Sequence, residues 1–252
     1  MLLLPLNQFD VLAILHKEIT LFFSSLVAGI TLGVFLLTTS LFLWIFPDSS
    51  ILDSGYASLS SLFAIVPYTF MFLIPAITMR ALAEEKKEGT FELLTTKPIT
   101  DWQLILGKYL ACLTIVLFAL VPTLVYYFSV FQLGVSKGNI DTGGTIGSYI
   151  GLFLLGGSFT AIGIFTSSLS KNQLISFVIA VFLCFFAFAG LDAVGQIFSL
   201  QGLANILNEL SVNTHYQSIS RGVLDSRDLL YFLSFITSFL VITKTIIGSR
   251  KW

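Results

Sequence analysis

Charged residues are scarce in this chain. Of its 252 residues, 11% are charged and 56% are hydrophobic, and the mean hydropathy is +0.92. In soluble domains about a quarter of all residues are charged. This composition therefore indicates a polytopic membrane protein built from helices. The formal net charge of -1 argues against a nucleic-acid partner. Membrane lipid is the expected surrounding of most of the chain.

The residues needed for metal binding and redox chemistry are also few. The two cysteines, Cys112 and Cys184, both lie in apolar runs, where small buried residues are more common than a disulfide or a metal pair. The sequence contains no HExxH motif, and its two histidines, His16 and His215, are expected on opposite sides of the membrane. The sequence therefore predicts no metal, no bound cofactor and no catalytic residue.

The chain also lacks the motifs that power transport directly. Its Gly-Lys pair, Gly107-Lys108, is followed by Tyr109 and lacks the upstream glycine of a Walker A loop. No ionisable residue lies near the centre of an apolar run, which argues against an ion-driven carrier. Gly157-Ser158 has no histidine base in a neighbouring run, which argues against an intramembrane protease. Such a protein is either passive or driven by a separate motor.

Six apolar runs are long enough to cross a bilayer, which takes about 20 residues. The last run reaches this length because Lys244 can extend toward the headgroups. Before the first run, residues 7–20 favour a helix on the membrane surface, the alternative being the start of span one. Within a single domain, 1–252, we predict an interfacial helix (1–20), a charged loop (80–103) and an external loop with short helices (192–228). The predicted spans are 21–46, 59–79, 104–130, 147–169, 173–190 and 229–247.

The distribution of Lys and Arg predicts the orientation. With six spans both termini lie on one side, and the positive-inside rule assigns the more basic side to the cytoplasm. We therefore expect a multi-pass protein of the bacterial inner membrane with both termini cytoplasmic. The cytoplasmic set is Lys17, Arg80, Lys86, Lys87, Lys97, Lys108, Lys171, Lys244, Arg250 and Lys251, against Lys137, Arg221 and Arg227 outside.

Residues 80–108 form the long charged segment of the chain, between the second and third predicted spans. Gly89 is expected to end a first helix, and Thr90 to cap a short second helix that Pro98 stops. Capping boxes at Thr100–Gln103 and Ser170–Gln173 predict the starts of spans three and five. The short helix is either a docking element for another protein or a segment resting on the membrane.

Prolines and glycines mark expected bends and close contacts within the spans. Prolines inside helices remove a backbone donor and favour kinks. Glycines four residues apart let backbones approach closely, either within the chain or between subunits. The predicted kinks are Pro67, Pro75 and Pro122, and the predicted packing glycines are Gly29, Gly33, Gly143, Gly147 and Gly151.

The charged segment resembles the cytoplasmic loop of ABC-2-type transporter permeases. The shared pattern is the charged run 84–88, Gly89-Thr90, the acidic Glu92, Leu93-Leu94, Thr95, a proline, and Gly107-Lys108 opening the third helix. Residues 220–232, with Lys17-Glu18 and residues 22–25, are similar to the gliding-motility-associated permease subunit of Bacteroidetes. Many relatives have Ser-Pro where this chain has Ser25-Leu26.

This resemblance implies a permease that pairs with a second permease copy or a related permease and with ABC ATPase subunits, which hold the ATP and Mg²⁺. The loop between spans two and three contacts the ATPase in that family. The resemblance thus implies an ATP-driven exporter of unknown substrate with a role in gliding motility. The residues expected to couple it to the ATPase are Glu84, Glu85, Glu88, Gly89, Thr90, Glu92, Leu93 and Leu94.

A function of a different class is also compatible with this sequence. A membrane scaffold of a motility or secretion apparatus would also need spans and a docking loop, but it would move no substrate. An ion-gradient carrier is the third alternative, and the absence of central ionisable residues disfavours it.

Overall fold

The computed structural model describes residues 8–47, 49–95, 99–134, 140–197, 209–222 and 225–249. In these ranges the chain is helical and contains no strand, as expected for an all-α membrane protein. The helices are α1 (Gln8–Phe23), α2 (Leu26–Trp44), α3 (Ile51–Ser54), α4 (Ser60–Thr78), α5 (Ala83–Glu88), α6 (Thr90–Thr95), α7 (Asp101–Leu120), α8 (Leu124–Leu133), α9 (Thr142–Leu169), α10 (Gln173–Phe185), α11 (Leu191–Ile197), α12 (Val212–Ser220) and α13 (Ser226–Ser249).

Six helical segments of the described chain are long and apolar enough to cross a membrane, which confirms the predicted number of spans. The predicted positions are close to those observed, and the differences lie at the ends. The segments are Leu26–Trp44, Ser60–Glu88, Asp101–Leu133, Thr142–Leu169, Gln173–Gly195 and Ser226–Ser249.

The first span begins later than predicted because the chain breaks between α1 and α2. Ser25 has extended backbone angles, and its Oγ accepts a hydrogen bond from the Val27 backbone N–H at 3.2 Å. A serine in this position is a favourable N-cap. Residues 8–23 therefore form a helix of their own, separate from the span, and Leu26 begins α2.

The starts of α7 and α10 test the two predicted capping boxes. At α7 the box is present: Thr100 Oγ1 accepts from the Gln103 N–H, and the Gln103 side chain accepts from the Thr100 N–H. At α10 the prediction is wrong, because Asn172 is the N-cap and its Oδ1 accepts from the Leu174 N–H at 2.9 Å. Asparagine is as good a cap as serine, and it lies nearer to the helix.

The long helix α9 is the centre of the bundle. It packs against α4, α7, α10, α12 and α13, and 78% of its most apolar window is buried, against 22% for the first, fifth and sixth candidate spans. The core around it includes Phe70, Leu152, Leu155 and Phe159, all fully buried. The outer helices thus present their large apolar side chains to the lipid.

Small residues make the close packing of α9 possible. A Cβ on Gly156 would lie 2.8 Å from Val116 Cγ1, and one on Gly163 would lie 2.0 Å from Thr78 Oγ1. Real Cβ atoms do not approach other atoms so closely, so these positions require glycine. The contact at Gly163 fixes α9 against the last residue of α4.

The glycines expected to mediate packing fall into three groups. A Cβ on Gly147 would meet the Ile219 carbonyl oxygen at 2.8 Å, and one on Gly151 would meet the Tyr216 ring, so both pack against α12 within the chain. Around Gly29 and Gly33 no described atom lies within 4 Å of such a Cβ. Near Gly143 the Asp141 carboxylate lies at an ordinary 3.6 Å.

The three prolines occupy different settings. Pro67 and Pro75 are buried inside α4, which continues as a helix through both. Pro122 lies in a 3₁₀ turn, Val121–Thr123, that separates α7 from α8. A proline removes one helical hydrogen bond, and at Pro122 the helix changes its hydrogen-bonding pattern where the sequence predicts a kink.

Replacing Gly163 by alanine should destabilise the bundle by about 1–3 kcal/mol, the usual cost of overpacking a core. The added methyl group collides with Thr78 Oγ1 and Thr78 Cβ. Since Cβ is bonded directly to the α4 backbone, it cannot move away freely. Thermal stability in detergent, followed by size-exclusion chromatography after heating, measures the effect. Gly248→Ala in α13 is the matched control, since it adds the same methyl group where space is open. Equal melting temperatures for the two variants would contradict this packing.

Candidate functional site

Helix α1 packs against the start of α7. Ile14 of α1 covers Gly107, where a Cβ would lie 2.8 Å from Ile14 Cγ2 and 3.4 Å from the Val11 carbonyl oxygen. Helices α1 and α7 pack closely against each other. The glycine of the Gly107-Lys108 pair therefore allows α1 to lie close to α7.

The neighbouring lysine, Lys108, is the centre of a buried ion cluster. Its side chain is 1% exposed, and its Nζ lies 2.8 Å from Glu18 Oε1 of α1 and 2.8 Å from Glu85 Oε1 of α5. Lys17 Nζ lies 3.6 Å from the same Glu85 oxygen. A buried charge is tolerated when it is paired and hydrogen-bonded. These contacts join α1, α5 and α7 into one unit.

A second set of polar contacts joins the α4–α5 turn to the end of α9. Ser167 Oγ accepts hydrogen bonds from the backbone N–H groups of Leu82 and Ala83, at 2.9 and 3.0 Å, and donates to the Met79 carbonyl at 3.1 Å. These bonds replace the helical bonds that the chain gives up between α4 and α5. The hydroxyl of Ser167 therefore stabilises the break between α4 and α5.

Lys86 is anchored on the same side. It is 7% exposed, its Nζ donates to the Ser168 carbonyl oxygen, and it lies 5.5 Å from the centroid of the Phe91 ring. Lysine over an aromatic face is a favourable cation–π contact. Lys86 therefore connects α5 both to α9 and to the first turn of α6.

The predicted coupling residues lie together on α5 and α6 but differ in exposure. Glu88 and Gly89 are exposed, and Gly89 has a φ of 72°, the left-handed conformation that ends α5. Glu92 is exposed as well, whereas Glu84 and Thr90 are half-buried. Glu85 turns inward to Lys108. Leu93 and Leu94 belong to α6, and their side chains lie outside the described part of the structure.

Sequence reasoning did not identify Lys108, Glu18 and Ser167 as members of this site. Lys108 and Glu18 stand in the motifs that carry the family resemblance, but a sequence does not reveal that they meet across 90 residues. Ser167 carries no sequence signal, since serines are common in membrane helices.

A separate polar cluster lies at the other end of the bundle. His215 Nδ1 lies 2.7 Å from Asp228 Oδ1, and His215 Nε2 lies 2.9 Å from the Glu209 carbonyl oxygen. Its ring stacks on Tyr231 with centroids 3.8 Å apart. The cluster connects α12 to α13. Nearby, Tyr216 donates to the Phe63 carbonyl at 2.8 Å, and burial raises the pKa of its phenol.

The fold and the site define a six-span membrane protein whose second and third spans are joined by a polar helical connector, to which the N-terminal helix α1 is linked by ion pairs. The family model described as ABC-2 family transporter protein matches residues 45–221. Because the match covers more than half of the chain, the protein belongs to the ABC-2 transporter family and is a transmembrane permease. The motility subtype is a finer assignment than this match supports. A search of the curated proteins found no match.

Replacing Lys108 by alanine should lower stability by about 3–5 kcal/mol, because Glu18 and Glu85 then lose their buried cation. Only the half-exposed Lys17 remains near Glu85. Lys87→Ala is the matched control, since Lys87 is exposed on α5. Unfolding of the purified protein, followed by its thermal aggregation midpoint, measures both variants.

The triple variant Lys108→Met, Glu18→Gln, Glu85→Gln should recover much of that loss, since it removes all three charges together. A Lys108→Ala variant as stable as Lys87→Ala would show that the cluster contributes nothing.

Proposed function

We propose that this chain is the permease of an ATP-driven exporter, and that a separate ABC ATPase drives it by pressing on α5 and α6. The observation that carries the proposal is the two-sided character of α5. Glu88 and Gly89 face outward, where a partner can reach them, while Glu85 and Lys86 are bonded inward to other helices. A force applied to the outer side is therefore transmitted to the bundle.

Three routes support such transmission. Glu85 connects α5 to Lys108 of α7, and through Lys108 to α1. Lys86 connects α5 to the end of α9 through the Ser168 carbonyl. The backbone of the α4–α5 turn is bonded to Ser167 of α9. Displacement of α5 thus moves α4 and α7 together, and we propose that these spans rotate about Pro67, Pro75 and Pro122.

The remaining components belong to partner chains in this proposal. ATP and Mg²⁺ bind to the ATPase subunits, because the chain carries no Walker A loop. The pathway lies between this permease and a second copy or a related permease. Gly29 and Gly33 are available for such a contact, since open space surrounds them within the described chain.

We also propose that the protein lies in the bacterial inner membrane with its termini and α5–α6 in the cytoplasm. The asymmetry of Lys and Arg supports this orientation. ATP is available on that side, so the same orientation exposes the connector to an ATPase.

Replacing both Leu93 and Leu94 by aspartate should uncouple the complex without preventing membrane insertion. Charged side chains on a short apolar docking helix oppose its burial against a partner. The experiment co-expresses the permease with its ABC ATPase and measures the ATPase rate with and without the permease. We expect the permease-dependent stimulation to fall by about tenfold or more.

The control is Leu52→Asp, which places the same charge on an exposed leucine of α3, outside the connector. It should leave the stimulation unchanged. If the double variant stimulates the ATPase as well as the control, α6 is not the coupling element. If the complex hydrolyses ATP normally but moves no solute, the scaffold function is favoured.

The resemblance of residues 220–232 to motility-associated permeases leads us to propose a role in gliding. In a bacterium that carries this chain, deletion of its gene should abolish gliding on agar. The intact gene should restore it and the variant with Leu93→Asp and Leu94→Asp should not. Normal gliding in the deletion strain would contradict this role and leave the transport proposal intact.

A further inference from the structure

A cleft of about 470 Å³ lies beside the ion cluster, between α1, the end of α4, α5 and the start of α7. Leu21, which is 54% exposed, lines it, so the cleft reaches the surface of the bundle. One part is lined by charged side chains, and the rest by apolar residues such as Ile77 and Ile115. The cleft is therefore amphipathic.

Two polar atoms of charged side chains in the cleft are buried without a hydrogen-bond partner among the described residues. They are Arg80 Nε and Glu85 Oε2. The Arg80 side chain makes a long contact of 3.4 Å from Nη1 to Ser25 Oγ, and the other oxygen of Glu85 contacts Lys108. Burying such groups unpaired is costly. One ligand that brings both an acceptor and a donor would satisfy them.

The charges that line the cleft do not all cancel within it. Lys17 and Lys108 are matched by Glu18 and Glu85 in the ion cluster. This leaves one cation, Arg80, and two carboxylates, those of Glu84 and Glu88. Since both signs are left over, the cleft suits a ligand that carries a negative and a positive group close together.

We propose that the cleft binds a zwitterionic phospholipid whose headgroup ends in a primary ammonium, such as phosphatidylethanolamine. The phosphate contacts Arg80, whose planar guanidinium suits phosphate oxygens. The ammonium donates hydrogen bonds to Glu85 Oε2 and Glu88. The juxtaposition of two buried, unpartnered atoms, Arg80 Nε and Glu85 Oε2, with an apolar wall is the observation that carries the assignment.

The apolar wall indicates a lipid in preference to a soluble compound with the same headgroup. Lys108, Ala111, Cys112 and Ile115 line the cleft from one face of α7. From Lys108 to Ile115 this face extends about 10 Å along the helix. It leads from the charged end into the apolar span, so an acyl chain can follow it while the headgroup stays between Arg80 and Glu88.

The chemistry also predicts which lipids bind less well. A choline headgroup has the same charges, but its trimethylammonium group has no N–H to donate to Glu85. A glycerol headgroup carries no cation, so its phosphate would lie near Glu84 and Glu88 without compensation. The expected order of retention is ethanolamine above choline above glycerol.

Native mass spectrometry of the full-length, delipidated protein tests the proposal. The probes are phosphatidylethanolamine, phosphatidylcholine and phosphatidylglycerol with identical acyl chains. Arg80→Gln should lower retention of the ethanolamine lipid by about tenfold or more, the range for a charge-assisted hydrogen bond. Glu88→Gln, at the exposed rim, should lower it by about two- to fivefold. The rim variant leaves the buried groups intact, so it tests the site even if Arg80→Gln folds poorly.

Arg227→Gln and Glu209→Gln are the matched controls, because they remove the same charges from exposed positions outside the cleft. They should retain the lipid as the unaltered protein does. Equal retention of the three lipids, or an Arg80→Gln variant indistinguishable from Arg227→Gln, would overturn the assignment. Tight binding of soluble glycerophosphoethanolamine, equal to that of the lipid, would overturn it in favour of a soluble ligand.

This inference goes beyond the proposed function, and the two fail separately. Lipid retention is measured on the permease alone, without ATPase. Stimulation of the ATPase is measured with the cleft residues unaltered. If one of the two expected results is not observed, the other can therefore still be interpreted.

Discussion

The arrangement of the end of this permease that carries α5 and α6 depends on the burial of one lysine. Lys108 is placed by α7 where water hardly reaches it, and it is neutralised by carboxylates from two other helices. Loss of either carboxylate would leave the buried cation with only one of its two partners, which is unfavourable. Helix α1 and the connector helix α5 are therefore held to the same point of α7. A displacement of α5 that reaches the bundle therefore reaches α1 as well.

The bundle around this point is built so that such a movement is shared. The small residues of α9 bring it into contact with α4 at Gly163 and with α7 at Gly156. Closely packed interfaces of this kind transmit displacement because they compress little. The hydroxyl of Ser167 replaces helical bonds at the α4–α5 turn. The connector is thus attached to the central helix by polar bonds and to the ion cluster by charge.

Much of this architecture is predictable from the sequence, because lipid imposes a simple rule. Each span must be apolar and about 20 residues long, so the six spans are recognisable, and so is the charged connector between the second and third. The capping box at Thr100 and the break at Gly89 follow from local chemistry. The ends of the first span and the cap of α10 depend on which of several good capping residues the chain uses. Sequence favours Ser170 and Asn172 alike.

The interior of the site is predictable only in part, for a physical reason. A charged residue in a connector is expected to be solvated, so the sequence predicts that Glu85 faces a partner as its exposed neighbours do. Its inward direction follows from tertiary contacts between α1, α5 and α7, which are far apart in the chain. The direction of Arg80 is likewise set by tertiary packing, since its Nε becomes buried only when the chain folds. Sequence identifies which residues carry charge, and packing determines which of those charges remain available to a partner.

Glu85 connects the rigid and the adaptable parts of this end. One of its carboxylate oxygens contacts Lys108, and the other faces the cleft without a partner in the described chain. A headgroup that binds Arg80, Glu85 and Glu88 together would join the end of α4 to both ends of α5. It would bind best to the conformation in which these residues are close, and a ligand shifts an equilibrium only through such differential affinity. If α5 moves during coupling, the lipid in the cleft therefore opposes or favours that movement according to how it changes the distance between Arg80 and Glu88.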